Sequence, residues 1–123
     1  MTTPSLVILS SAIELATGIA LIAAPGFVGR ALLGTELSSA GIAVARVAGL
    51  GLLSLGLACW PGQNQVNPQA ARGLLIYNVL AAFYLGYLRV GAGFVSYLLW
   101  PACVLHALLT ILLIAQHRRD ARQ

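Results

Sequence analysis

Apolar and polar positions alternate along this chain in long blocks rather than residue by residue. Four apolar runs are separated by short polar breaks, and they cover residues 5–24, 40–60, 72–88 and 94–116. Each run is close to the ~20 residues that a helix needs to cross a hydrocarbon core about 30 Å thick. The pattern predicts an all-α integral membrane bundle of four transmembrane helices in a single domain, residues 1–123.

The breaks carry the signals that end helices. Pro25-Gly26 follows the first run and Pro61-Gly62 follows the second, and Pro-Gly pairs form turns. Residues 63–69 are the most polar stretch and are predicted to lie in water, and residues 89–93 are predicted to form a tight turn. Residues 27–33 have an amphipathic pattern that is typical of a helix lying at the membrane interface.

Composition supports a membrane protein and excludes a water-soluble globule. Hydrophobic residues make up 59% of the chain and charged residues 8%, whereas soluble domains carry roughly a quarter charged residues. The net charge of +4 comes from arginines at the ends of the runs and in the tail. That distribution indicates membrane topology and contact with membrane lipids, and we expect no nucleic-acid partner.

Four spans place both termini and the 63–69 loop on one side of the membrane. Four arginines belong to that side and two to the other: Arg72, Arg118, Arg119 and Arg122 against Arg30 and Arg89. Because cytoplasmic segments are enriched in Arg and Lys, the count predicts cytoplasmic termini in a bacterial inner membrane.

Five polar residues are predicted to converge in the middle of the membrane. At 1.5 Å per residue, Glu14, Asn78, His106 and Tyr84 lie about 9–18 Å from the cytoplasmic face, and Arg46 lies about 20 Å from it. A charge in hydrocarbon is costly, so it requires a partner, a proton or a function. We therefore expect Glu14 and Arg46 to interact and the five residues to form a polar core.

Small residues at helical spacing favour close packing of the spans. Gly41, Ala45 and Gly49 recur every four residues in the second span, and Asn78, Ala82 and Gly86 share a face of the third. Such stripes let helix backbones approach each other. The same stripes are also compatible with a ligand cavity between the helices.

The residues do not favour a cofactor or a metal. The two histidines, His106 and His117, lie three turns apart on one helix and cannot clamp one iron, and His106 with Glu14 gives too few ligands for a metal centre. Cys59 and Cys103 are expected to be buried free thiols. Pro101 is expected to kink the fourth span.

Residues 18–60 resemble small bacterial DoxX-like four-span membrane proteins. The matching features are Pro25 after the first span, Arg46 and Gly49 as an Arg-x-x-Gly motif opening the second, and a Leu-Gly pair at Leu55. The resemblance covers about a third of the chain and implies a four-helix membrane bundle. With Glu14, the first span also resembles that of small multidrug transporters, which exchange protons for cationic drugs at a membrane Glu. The other spans lack that family's aromatic and glycine patterns.

Three classes of function are compatible with these residues. The first is a non-enzymatic membrane module that binds a lipophilic small molecule through the polar core, or serves as an accessory subunit of a larger membrane complex. The second is a proton-coupled, homo-oligomeric transporter that uses Glu14. The third is a membrane enzyme acting on a lipid or quinone, with Glu14 and His106 as acid and base.

Overall fold

The computed structural model describes residues 2–62 and 65–122, except for the side chain of Asp120. These residues form five helices: α1 Thr3–Ala23, α2 Pro25–Leu33, α3 Ser39–Cys59, α4 Pro68–Val90 and α5 Leu99–Asp120. Within the described ranges the only β pairing is an isolated bridge between Gly62 and Gln65.

Local sequence explains where the helices begin. Pro68 is the first residue of α4, where its missing N–H costs nothing, and the Asn67 side chain accepts hydrogen bonds from the N–H groups of Gln69 and Ala70. The Ser38 hydroxyl caps α3 in the same way by accepting from Gly41 N–H at 3.1 Å. Pro25 occupies the first turn of α2, so the Pro-Gly pair ends α1 and starts the next helix.

The short helix α2 packs against the connection between α4 and α5. The Ser96 hydroxyl donates to Leu32 O at 2.6 Å, and Leu98 N–H donates to Ala31 O at 3.2 Å. Gly34 ends α2 in the left-handed conformation, with φ 72°, and a Cβ at this position would lie 2.1 Å from Val95 O. Only glycine fits there.

The four long helices associate as two antiparallel pairs. In the first pair, α1 and α3 approach so closely that a Cβ on Gly18 would lie 2.8 Å from Gly49 O, and a Cβ on Gly56 would lie 2.9 Å from Ser11 O. Helices α4 and α5 form the second pair. The two pairs meet through fewer contacts than either has internally, so the bundle has a seam between them.

The interior of the bundle has three layers. Leu6, Val7, Leu74 and Leu113 form an apolar cluster with Cys59 near the end that carries the termini. Leu85, Leu88 and Leu99 form a second apolar cluster at the opposite end. Buried polar residues of α1 and α4 occupy the region between them: Ser10, Ser11, Glu14 and Asn78.

The four long helices are long and apolar enough to cross a membrane, and large apolar side chains cover the outside of the bundle. The predicted all-α fold with four transmembrane helices is confirmed, and the chain is a multi-pass membrane protein. Three boundaries differ from prediction by four or five residues: α4 begins four residues before Arg72, α5 begins at Leu99, five residues after Phe94, and α5 ends at Asp120, four residues after Gln116. Pro101 therefore lies in the first turn of α5, where it frees no helical carbonyl, and the predicted kink was wrong.

Candidate functional site

One face of α1 is polar in the middle of the bundle. Ser10, Ser11 and Glu14 are spaced so that they point into the same interior, and all three are at most 1% exposed. Oε1 of Glu14 and Oγ of Ser11 have no hydrogen-bond partner in the described part of the protein. Such atoms are rare in folded proteins, because a buried polar group without a partner costs about 1–3 kcal/mol.

Asn78 of α4 joins three helices through its side chain. Its Nδ2 donates to Leu74 O at 2.8 Å, within α4, and to the Ser10 hydroxyl of α1 at 3.0 Å. Its Oδ1 lies 2.9 Å from Nδ1 of His106 on α5. The amide is fully buried and uses both protons, so it connects the two helix pairs across the seam.

This network assigns the tautomer of His106. Leu74 O can only accept, so the Asn78 atom beside it is the NH₂ group and the atom facing His106 is the oxygen. An amide oxygen also only accepts, so Nδ1 of His106 carries a proton. In the neutral ring Nε2 is then an acceptor.

Tyr77 connects Glu14 to the same group of residues. Its side chain lies beside the Glu14 carboxyl group, and its ring packs edge-on against the His106 ring with centroids 5.8 Å apart. We call the whole set the polar cluster, and it consists of Ser10, Ser11, Glu14, Tyr77, Asn78 and His106.

The structure brings together three of the five predicted core residues, Glu14, Asn78 and His106. Arg46 is exposed, and its Nε donates to Ile22 O at 3.4 Å, near the end of α1. Ile22 lies eight residues beyond Glu14, or about 12 Å along the helix. The predicted Glu14–Arg46 contact is absent, since the only ion pair within residues 2–62 and 65–122 joins Arg30 to Glu36.

Tyr84 is the second predicted residue outside the cluster. It is 62% exposed on the outside of the bundle and stacks with Tyr87, with ring centroids 6.3 Å apart. Tyr77, one heptad earlier, occupies the central position instead. The early start of α4 at Pro68 explains this, because it places Tyr77 about 14 Å into the helix, close to the level of Glu14.

The sequence contains signals for the missed residues. Asn67-Pro68 is a helix start, and a depth counted from it selects Tyr77 rather than Tyr84. Ser10 and Ser11 precede Glu14 by four and three residues, so a helix face drawn through Glu14 includes both.

The polar cluster has the chemistry of a site for a polar group on an apolar molecule. It offers a carboxyl oxygen and a hydroxyl without partners, a phenol and an imidazole, and apolar layers enclose it at both ends. No group of three metal-ligating side chains occurs among the described residues.

Comparison with models of known protein families, with curated proteins and with solved structures finds no match to this chain. Function is therefore inferred from the chemistry of the site alone.

Proposed function

We propose that this protein is a small, non-enzymatic membrane module that binds a lipophilic molecule through the polar cluster. The observation that carries the proposal is the buried Glu14 carboxyl group, whose Oε1 has no partner, beside the unpartnered Ser11 hydroxyl. A polar group in hydrocarbon is retained at a cost, so it needs a proton or a ligand with a donor or cationic group.

The position of the cluster supports a ligand that arrives through the bilayer. The cluster lies at the seam between the α1–α3 and α4–α5 pairs, and Asn78 hydrogen bonds to a residue of each pair. Separating the pairs slightly opens a path from lipid to Glu14 without unfolding either pair. The ligand would replace contacts at the seam and satisfy Glu14 and Ser11.

The test is to identify lipophilic compounds that copurify with the protein. Mass spectrometry of organic extracts should find a compound in the native protein that is depleted in the Ser11→Ala/Glu14→Gln double variant. Ser54→Ala is the matched control, because the Ser54 hydroxyl is exposed and bonds only to Leu50 O of its own helix at 2.8 Å. Equal extracts from all three proteins would contradict ligand binding at the cluster.

A proton-coupled transporter is the second candidate, and the absence of an Arg46 partner for Glu14 favours it. A membrane carboxyl group without a cation nearby can exchange a proton with a passing substrate. In liposomes, the transporter would give a pH-dependent substrate flux that Glu14→Gln abolishes and Ser54→Ala preserves. A folded native protein with no proton-coupled flux would exclude this candidate.

The cellular setting is also proposed. Arg72, Arg118 and Arg119 lie at the end of the bundle that carries both termini, and the positive-inside rule puts that end in the cytoplasm of a bacterial cell. The Arg46-x-x-Gly49 motif supports the resemblance to DoxX-like proteins, in which a four-span bundle is expected. A homo-oligomer or a larger membrane complex would cover part of the exposed apolar surface.

A further inference from the structure

The end of α5 carries a cleft with two different halves. The cleft has a volume of about 420 Å³, and all of its lining comes from one side of α5 and the residues just after it: Ile111, Ile114, Ala115, Arg118, Arg119 and Arg122. The half within the membrane span is apolar, and the half beyond it consists of arginines. No acidic side chain pairs with these arginines within the described residues, which leave out the side chain of Asp120.

A second cavity lies next to the first and shares one lining residue with it. This groove, of about 300 Å³, lies between α4 and α5 and has an apolar lining that includes Ala82, Phe83, Ala107 and Ile111. Ile111 lines both cavities and is 62% exposed. The arginine-rich cleft and the apolar groove therefore adjoin at Ile111 on the outside of the bundle, and together we call them the depression.

The apolar part of this depression is about as long as one leaflet of a bilayer. Its ends on α5, Ala115 and Cys103, are twelve residues apart, which corresponds to about 18 Å along the helix axis. Half of a ~30 Å hydrocarbon core is about 15 Å. The arginines thus lie at headgroup level when the groove lies beside the acyl chain of the same lipid.

We propose that this depression is a binding site for one anionic phospholipid of the leaflet that faces the termini. The guanidinium groups of Arg118, Arg119 and Arg122 bind the headgroup phosphate, and one acyl chain follows Ile114 and Ile111 into the α4–α5 groove. Guanidinium groups match phosphate oxygens in charge and in hydrogen-bonding geometry. The site is separate from the polar cluster, which is buried inside the bundle.

Native mass spectrometry of the purified full chain tests the headgroup half. Phosphatidylglycerol and phosphatidylcholine with the same acyl chains are offered together, and the native protein should retain phosphatidylglycerol preferentially. A basic residue at a membrane surface contributes about 1 kcal/mol, or about fivefold in affinity, so the Arg118→Gln/Arg119→Gln/Arg122→Gln variant should lose about a hundredfold.

The control variant removes three other charges, through Arg30→Gln, Arg72→Gln and Arg89→Gln. These arginines lie outside the cleft, so the preference for phosphatidylglycerol should survive. An equal loss in the control would show nonspecific attraction and would overturn the proposal. Displacement of phosphatidylglycerol by equimolar inorganic phosphate would also overturn it, because the site would then bind any phosphate anion.

The acyl-chain half is tested by filling the groove. Ala107→Leu should weaken binding of long-chain phosphatidylglycerol and leave binding of a short-chain analogue unchanged. Ile111→Phe should have the same effect, and because Ile111 is exposed, this change should not disturb folding. Ala48→Leu, on the exposed side of α3, is the control and should change the binding of neither the long-chain nor the short-chain lipid. Unchanged long-chain binding in Ile111→Phe and in folded Ala107→Leu would contradict the groove as the acyl-chain site.

Discussion

At the scale of single residues, Glu14 is the feature that sets this protein apart from an inert bundle. It lies in a transmembrane helix, is 1% exposed, and has a phenol rather than a guanidinium group beside it. The neutral neighbours of Glu14 mean that the carboxyl group is not held in place by an ion pair. It is therefore available to a proton or to a ligand.

The first prediction concerns the stability of Glu14 variants. Glu14→Gln should change the free energy of unfolding by less than about 1 kcal/mol, whereas breaking a buried ion pair typically costs about 3–5 kcal/mol. Arg46→Gln should be equally mild, because Arg46 is exposed and makes a single long hydrogen bond. Thermal unfolding in detergent measures the stability of both variants. A large loss of stability in each single variant would instead indicate that Glu14 and Arg46 form an ion pair.

The second prediction concerns Asn78. Asn78→Leu leaves the Ser10 hydroxyl and Nδ1 of His106 without their partner, and each such group costs about 1–3 kcal/mol. The variant should unfold at a clearly lower temperature than the native protein. Ser54→Ala, which removes an exposed hydroxyl, should have little effect, and equal melting temperatures for the two variants would argue against the network.

Sequence alone located Glu14, Asn78 and His106 because membrane depth and the cost of polarity in lipid restrict where such residues lie. It misplaced Arg46, since depth along a helix says nothing about the side around the axis that a residue faces. A long arginine side chain also finds other acceptors, here the carbonyl oxygen of Ile22.

At the scale of helices, glycines determine how closely α1 and α3 approach. Gly49 belongs to the predicted stripe, and a Cβ there would lie 2.8 Å from Gly18 O and 2.9 Å from Cβ of Leu21. Gly86 was assigned the same role from its spacing, but its nearest neighbour would be Sγ of Cys103 at 3.7 Å, an ordinary contact distance. The spacing of small residues identifies helix faces that could pack closely. Only the three-dimensional structure shows which of these faces do.

The third prediction compares two glycines on the same helix. Gly49→Ala should destabilise the protein, because the added methyl group meets the backbone oxygen of Gly18, which cannot move aside easily, and Cβ of Leu21. Gly51→Ala should be neutral or stabilising, since a Cβ there has nothing within 4 Å and alanine favours helix. In detergent, Gly51→Ala should melt at a higher temperature than Gly49→Ala. The reverse order would contradict the close packing of α1 against α3.

Helix ends were predicted less well than helix number. Hydrophobicity extended the last span back to residue 94, but Ser96 and Leu98 instead hydrogen bond to carbonyl groups of α2. Those tertiary contacts cannot be read from local hydrophobicity. The start at Pro68, in contrast, was readable from the Asn-Pro capping pair.

At the scale of the whole molecule, two tightly packed pairs share a seam that contains the polar cluster. The interface between the two pairs is less extensive than the interface inside either pair. The same arrangement places the start of α1, the end of α3, the start of α4 and the end of α5 at one end of the bundle.

The fourth prediction concerns topology. Reporter fusions at Gln123 and within the 63–69 loop should both give a cytoplasmic signal, because the four spans bring them to the end with more arginines. A fusion in the 91–98 connection should report the opposite side. Periplasmic signals at the first two positions would reverse the proposed orientation, and disagreement between them would contradict the four-span topology.

The most direct test of the central claim is an experimental structure of the native protein determined in a lipid bilayer, with non-protein density resolved. Ligand binding at the polar cluster predicts density in the bundle core within hydrogen-bonding distance of Glu14 Oε1 and Ser11 Oγ, reached through the seam between the two helix pairs. A core in which both atoms are satisfied by protein groups alone, with Arg46 turned inward onto Glu14, would contradict it.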